Sequence, residues 1–142
     1  MEARFHHVGY ATKSIVKSIE VFQQLGYEPE NLTILDKQLG VKIQFLTNSE
    51  NKAPRIELIE DLVDGDIHPV LAILKQRPGS YHFAYLIDSI QDFSLKNRLR
   101  AITSCGPALA FEGRHVQFFM SHDEGIIELI SNELECACVN HG

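Results

Sequence analysis

The feature that most constrains this chain is an internal repeat. His7-Val8-Gly9-Tyr10 matches His82-Phe83-Ala84-Tyr85 at an offset of 75 residues, and the same offset carries Ser14-Ile15 onto Ser89-Ile90. Gly40-Val41-Lys42-Ile43-Gln44-Phe45-Leu46 matches Gly113-Arg114-His115-Val116-Gln117-Phe118-Phe119 at an offset of 73. Ile56-Glu57-Leu58-Ile59 recurs letter for letter as Ile127-Glu128-Leu129-Ile130 at an offset of 71. Three blocks in the same order, with an offset that shrinks slowly, describe one structural unit used twice with short loop deletions in the second copy. Whatever the unit is, 142 residues hold two of them.

Each copy reads as strand, helix, then further strands. In the first, a strand is expected from Arg4 to Ala11. A helix follows, with its N-cap in Thr12-Lys13-Ser14 and Ile15, Ile19, Phe22 and Leu25 on one apolar stripe. Gly26 is its stop. Further strands are expected from Gly40 to Thr47, where Val41, Ile43 and Phe45 alternate with Lys42 and Gln44, and from Arg55 to Glu60. In the second copy, a strand from Tyr81 to Ile87 precedes a helix from about Ser89 to Ala101 with Ile90, Phe93 and Leu99 as its stripe. Strands Arg114 to Met120 and Gly125 to Ser131 complete it. The resulting modules cover about 4–62 and 79–131. A linker at 63–78 holds a short helix with Pro69 in its first turn, and 132–142 forms a tail.

With 44% apolar and 23% charged residues, the chain can build a core without cross-links. A formal charge of -6 argues against binding nucleic acid, which selects a basic face. No apolar run is long enough to span a bilayer, and the first residues lack the apolar stretch of a signal peptide. The three cysteines, Cys105, Cys136 and Cys138, are odd in number and suit a reducing cytoplasm, so they are expected to be incidental.

The polar residues that recur inside apolar strands are the ones that need explaining. His7 corresponds to His82 and Glu57 to Glu128. Any one of them alone would pass for a satisfied core histidine or a solvent-facing strand carboxylate. All four at matching places favour a site. Two imidazoles and two carboxylates form a mixed nitrogen and oxygen donor set that suits Zn, Co, Ni, Mn or Fe and leaves positions open for water or substrate. His6 neighbours His7 but belongs on the other face of its strand. His68, His115, His122 and His141 are expected at the surface, and Arg114 beside His115 is a candidate contact for an anionic substrate.

These residues give the chain a resemblance to the vicinal oxygen chelate superfamily, which includes glyoxalases, methylmalonyl-CoA epimerases, extradiol dioxygenases and drug-resistance proteins. The nearest likeness is to the epimerases. Phe5-His6-His7-Val8-Gly9-Tyr10-Ala11 resembles their D-H-I-G-I-A, Ile56-Glu57-Leu58-Ile59-Glu60 their E-L-L-E-P, and Gly125-Ile126-Ile127-Glu128-Leu129 their G-V-L-I-E-L. Asp66-Ile67-His68-Pro69-Val70 resembles D-S-P-I, and Gly79-Ser80-Tyr81-His82-Phe83-Ala84 resembles G-x-H-H-I-A, with Tyr81 in place of the first histidine. The resemblance implies an α+β fold of two βαβββ modules in a cupped mixed sheet, and a homodimer. It also implies one divalent metal on His7, Glu57, His82 and Glu128. A metal-stabilised enolate on a carbonyl or acyl-CoA thioester substrate would then be handled by Glu128 and Glu57 as bases. Where some epimerases carry an acidic residue, this chain has Ile43, so Gln44 or Tyr85 is expected to orient the substrate. The alternatives are a lactoylglutathione lyase-type glyoxalase and a non-catalytic small-molecule binding or resistance protein.

Overall fold

The computed structural model describes residues 3–50, 52–62, 79–121 and 125–132. The linker helix expected around Pro69, the surface positions of His68, His122 and His141, and the tail with Cys136 and Cys138 lie outside these residues. The chain folds as two compact units, His7–Tyr81 and Met1–His6 with His82–Gly142.

The first unit contains most of β1 (Ala3–Ala11), then α1 (Ile15–Gln24), β2 (Glu28–Asp36), β3 (Val41–Asn48) and β4 (Ala53–Asp61). Its strands run in the order β2-β3-β4-β1. β1 lies parallel to β4, and the other neighbours are antiparallel. Helix α1 starts where two groups meet its orphan amides. Ser14 Oγ accepts from Lys17 N at 3.2 Å, and Glu60 Oε1, from β4, accepts from Ile15 N at 2.7 Å. A carboxylate at a helix N-terminus also opposes the helix dipole favourably. The helix packs Ile15, Ile19 and Phe22 against Tyr27, Leu46, Ile56 and Leu58, with Val8 and Tyr10 of β1 on the same side. Gly26, at φ 92°, ends it in the left-handed conformation. Leu25 departs from the expected stripe: it is the C-cap and lies exposed, since the chain has already turned away from the core.

β2 was not legible in the sequence. It forms the outer strand, mostly exposed on both faces, so it has no alternating pattern, and Pro29 is tolerated there. Its pairing with β3 shifts register between Glu30 and Ile34, and Asn31 adopts φ 66° in the bulge.

The second unit repeats the plan with β5 (Gly79–Ile87), α2 (Ile90–Lys96), β6 (Arg100–Ala101), β7 (Gly106–Pro107), a 3-10 turn (Leu109–Phe111), β8 (His115–Ser121) and β9 (Gly125–Ser131). β5 is parallel to β9, β9 antiparallel to β8, and β6 and β7 both pair with β8. The counterpart of β2 is thus broken into two short pieces. Ser89 caps α2 as Ser14 caps α1, its Oγ accepting from Asp92 N at 3.1 Å. The expected helix to Ala101 stops at Asn97 instead. Asn97 Nδ2 bonds Phe93 O at 2.9 Å, Arg98 turns to φ 54°, and Arg100–Ala101 continues as strand β6. Leu99 still reaches the core of Ile87, Ile90, Phe119 and Leu129, but from beyond the helix.

The fold class is therefore the α+β class expected, two βαβββ modules. Among the described residues, no helix is long and apolar enough to cross a membrane. One expectation is corrected: Cys105 is disulfide-bonded rather than incidental. Cysteine count alone cannot reveal such a bond, because pairing depends on which thiols the fold brings within reach.

Candidate metal centre

In the first unit, strand alternation decides which side chains share a face. Ile56 and Leu58 point to the core beneath α1, so Glu57 between them points to the other face. Its cross-strand partners are Gly9 on β1 and Phe45 on β3. His7, two residues before Gly9, shares that face. His7 Nε2 lies 3.4 Å from Glu57 Oε1, with side-chain exposures of 0% and 3%. Phe45 packs against the imidazole in a T-shaped arrangement at 5.6 Å and 74°, from the side of the outer strand β2.

The second unit builds the same arrangement from the second copy of the sequence. Glu128 sits between Ile127 and Leu129, which belong to the core under α2. Its cross-strand partners are Ala84 and Phe118. His82 Nε2 lies 3.4 Å from Glu128 Oε1, with exposures of 0% and 4%. Phe118 meets the His82 ring at 5.1 Å and 81°. Each glutamate therefore has a very small residue on one side and a phenylalanine on the other, and the phenylalanine holds its histidine.

The distance is informative. A charge-assisted hydrogen bond between imidazole and carboxylate closes to about 2.7–2.9 Å. Two donor atoms each about 2.0–2.1 Å from one ion stand roughly 3.0–3.4 Å apart for octahedral to tetrahedral angles. The 3.4 Å separation in both units thus fits two atoms that share an ion better than two atoms that bond each other. Their burial argues the same way, because a buried carboxylate needs a cation or several donors. The donor set fits a divalent metal.

The remaining predicted residues fall elsewhere. Gln44 pairs with Leu58, which puts it on the α1 side of the sheet, opposite Glu57. Its carboxamide is engaged there: Nε2 donates to the carbonyls of Asn31 at 3.1 Å and Phe45 at 3.1 Å, and Thr33 Oγ1 donates to Oε1 at 2.8 Å. Gln117, its repeat partner, donates to Thr103 O at 2.8 Å. Gln44 holds β2 and Gln117 holds the connection between β6 and β7, so the substrate-orienting role expected of Gln44 is corrected to a structural one. Tyr85 pairs with Leu129 and packs against Phe5 at 5.8 Å, also away from Glu128. The same correction applies to it. Arg114 stands half-buried just before β8, its amide donating to Phe111 O at 3.0 Å. His6 lies edge-on to Phe111 at 5.5 Å and has no part in the His7–Glu57 pair. Ile43 faces Ile59 on the Glu57 face, so that position is apolar in space as in sequence. Phe45 and Phe118, which pack on the two imidazoles, were not among the candidate residues; their recurrence directly after Gln44 and Gln117 is the signal the sequence offers for them.

The sequence of residues 6–131 matches the model of the glyoxalase/bleomycin resistance protein/dioxygenase superfamily. The chain belongs to that superfamily. Comparison with curated protein sequences finds no match. Among solved structures, the chain is similar to a hypothetical protein from Bacillus halodurans, at 23% identity and TM-score 0.74, over 96% of this chain and 99% of that one. It is also similar to methylmalonyl-CoA epimerase from Mycobacterium tuberculosis, at 20% identity and TM-score 0.68, over 89% and 86% of the two chains. The Streptomyces coelicolor epimerase, solved with 2-nitronate-propionyl-CoA, matches at 20% identity and TM-score 0.68, over 92% and 98%. At these identities the likeness is one of fold. Superfamily members typically bind a divalent metal, and the two buried His–Glu pairs are where this chain carries suitable donors.

Proposed function

We propose that this superfamily member is a divalent-metal-dependent isomerase, an epimerase acting through an enolate on an acyl-CoA-type carbonyl substrate. The observation that carries the reading is the pair of buried His–Glu contacts with the same 3.4 Å separation. In this reading His7, Glu57, His82 and Glu128 hold one ion of Zn, Co, Ni, Mn or Fe. Such an ion, when bound, supplies Lewis acidity toward a carbonyl oxygen and so makes the neighbouring C–H more acidic.

The chain's own residues do the rest. Glu128 and Glu57 are the carboxylates that accept the α-proton at Oε and return it. Ile43 leaves no further acid at its position, so both transfers fall to these two. Phe45 packs against the His7 imidazole and Phe118 against that of His82, and Phe45, Ile43 and Ile59 give the Glu57 face apolar neighbours, which strengthens the charge interactions of that carboxylate. Arg114 is proposed to contact an anionic part of the substrate. The same reading makes the protein a single-domain, cytoplasmic homodimer.

The test is solvent-deuterium exchange at the α-carbon of methylmalonyl-CoA with the metal-loaded protein. Exchange is expected in the wild type and lost in Glu128→Gln. Full exchange in that variant would remove Glu128 from the mechanism. Absence of exchange in the wild type, together with turnover of a glutathione thiohemiacetal, would make the protein a glyoxalase-type lyase instead.

A further inference from the structure

The two units end their helices in the same way. In the first, Gly26 N donates to Gln23 O at 3.1 Å and Tyr27 N to Phe22 O at 3.0 Å. In the second, Arg98 N donates to Leu95 O at 3.3 Å and Leu99 N to Ser94 O at 2.9 Å. Gly26 therefore corresponds to Arg98, Tyr27 to Leu99 and Glu28 to Arg100. The next strand also starts alike, Glu28 paired with Thr47 of β3 and Arg100 with Met120 of β8. The strand structure of the two copies diverges only after Ala101, where β6 ends.

Within this shared stretch two positions change in one direction. The turn is left-handed in both copies, φ 92° at Gly26 and 54° at Arg98. Glycine suits that conformation, whereas a residue with a Cβ occupies it at an energetic cost. At the start of the strand an acidic side chain gives way to a basic one. Glu28 Oε2 accepts from Gln23 Nε2 at 3.3 Å. Among the described residues, neither the Arg98 nor the Arg100 guanidinium has a hydrogen bond or an ion pair, and both residues are exposed. They stand in a local excess of positive charge, because the sequence from Phe93 to Phe111 has no Asp or Glu in a chain whose formal charge is -6. Cations have ordinary uses at helix C-termini and on edge strands. Lys96 already stands in the last turn of α2, and an edge is guarded by either sign of charge. Neither use calls for an arginine where the turn favours glycine.

Arg100 lies on the face of the proposed metal centre. Phe118 packs on His82 and is paired with Glu128, and Met120, two residues on, shares its face. Arg100, paired with Met120, is thus two strands across and two residues along from Glu128, about 12 Å between backbones. The Arg98 backbone is within about 7 Å of that of Arg100. Arg114 precedes the other end of β8, about 20 Å along the strand from Met120, and is a separate contact.

We infer that Arg98 and Arg100 form a phosphate-binding subsite at the rim of the Glu128 face, for a substrate whose acyl group is carried by a phosphorylated nucleotide on a long arm. Guanidinium groups suit that role because their planar donors pair with phosphate oxygens two at a time. The inference rests on the acyl-CoA-type reading for what lies at the reacting end of the arm, but not for the phosphate contact itself.

The experiment uses the full chain as wild type, Arg98→Gly, Arg100→Gln and the double variant. Adenosine 3′,5′-bisphosphate and inorganic phosphate are the probes, titrated at low ionic strength, where exposed charges are least screened. Saturable binding of the bisphosphate is expected in the wild type, weaker in each single variant and at least about tenfold weaker in the double variant, and inorganic phosphate is expected to bind less tightly. Arg98→Gly restores the residue the turn favours, so its Tm is expected to be no lower than that of the wild type. No binding of the bisphosphate by the wild type, or equal binding by the double variant, overturns the inference. Inorganic phosphate binding as tightly as the nucleotide overturns the assignment to a nucleotide, and a lowered Tm in Arg98→Gly makes Arg98 a structural residue and overturns its part. Solvent-deuterium exchange into methylmalonyl-CoA, measured in parallel, reports separately on the epimerase reading: its absence with arginine-dependent nucleotide binding intact would refute that reading alone.

Discussion

One ion per chain, lost on changing either unit, is the sharpest consequence of the proposed centre. Each unit by itself offers one imidazole and one carboxylate 3.4 Å apart. Two donors are half of a four-ligand set, whereas in the proposed centre the four together would hold a six-coordinate divalent ion and leave two positions for water or substrate. The perturbations are Glu57→Gln in one unit and Glu128→Gln in the other, each close in shape to the original and each removing one anionic ligand. Loss of groups that merely support ligands weakens metal binding about 10–100-fold, so loss of a ligand is expected to weaken it about a hundredfold or more. With the metal at about 100 times the wild-type Kd, binding stabilises the wild type by about 2.7 kcal/mol. A hundredfold weaker site leaves about 0.4 kcal/mol under the same conditions. For a chain of this length about 2–4 °C of Tm accompanies each kcal/mol. The expected metal-induced shift is then about 5–11 °C in the wild type and about 1–2 °C in either variant. Elemental analysis gives the stoichiometry and a thermal melt with and without metal gives the shift. Two ions per chain, each abolished only by the substitution in its own unit, would refute a shared centre. A full shift in Glu57→Gln would remove Glu57 from the ligand set.

Three further outcomes check the rest of the structure. Gln44→Leu is expected to destabilise the fold by about 2–3 kcal/mol, since it removes several buried hydrogen bonds and leaves the bulge carbonyls of β2 to fend for themselves; Gln117→Leu should cost about 1 kcal/mol, and chemical denaturation would show both. Metal uptake should survive both substitutions, and its loss in a stable Gln44→Leu would return that residue to the site. Burial raises the Tyr27 hydroxyl pKa above its ordinary 10.0, and the hydroxyl donates to Pro54 O at 2.8 Å. Its neutral form is the one the fold favours, so this contribution is complete below pH 10 and lost as pH rises through the folded pKa. Tyr27→Phe should be about 1 kcal/mol less stable at neutral pH, with a flatter decline in stability above pH 10. Reduction of the Cys105 disulfide, or Cys105→Ser, should lower stability by about 2–4 kcal/mol, and an unchanged melt with and without reductant would contradict the bond.

Most of the fold was legible because the repeat and the strand alternation are signals of buried faces. The strands around Glu57 and Glu128 stand where the apolar alternation puts them, and Ser14 and Ser89 cap their helices as their side chains predict. The failures occur where burial does not control the sequence. β2 has one neighbour and little to bury, so its residues carry no period. α2 ends early because the Asn97–Arg98 turn, a local conformational choice, overrides the apolar spacing that would have extended it to Leu99. Leu25 looks like a stripe residue by spacing, yet spacing continues past a helix end that the following Gly26 has already set.

The candidate site shows why recurrence by itself is not evidence of function. Gln44 and Gln117 recur as faithfully as Glu57 and Glu128, and all four are polar residues in apolar strands. What separates them is parity. Gln44 is paired with Leu58 and Gln117 with Leu129, and both leucines are fully buried under the helices, so the glutamines share the helix side and meet backbone carbonyls, Gln44 in the outer strand β2 and Gln117 in the connection between β6 and β7. Glu57 and Glu128 are the immediate neighbours of those same leucines and must face the other way. A carboxamide has both donors and an acceptor and can be satisfied entirely by backbone, as Gln44 is. A carboxylate has acceptors only, and on these faces it meets a histidine at a distance too long for a strong hydrogen bond and right for a shared ion. Duplication preserved both kinds of residue, the glutamine because each unit's sheet needs an anchor beyond its outermost long pairing, and the glutamate, in the proposed function, as a metal ligand. The leucine beside each glutamate, buried in both copies, is the residue from which the distinction could have been drawn without coordinates.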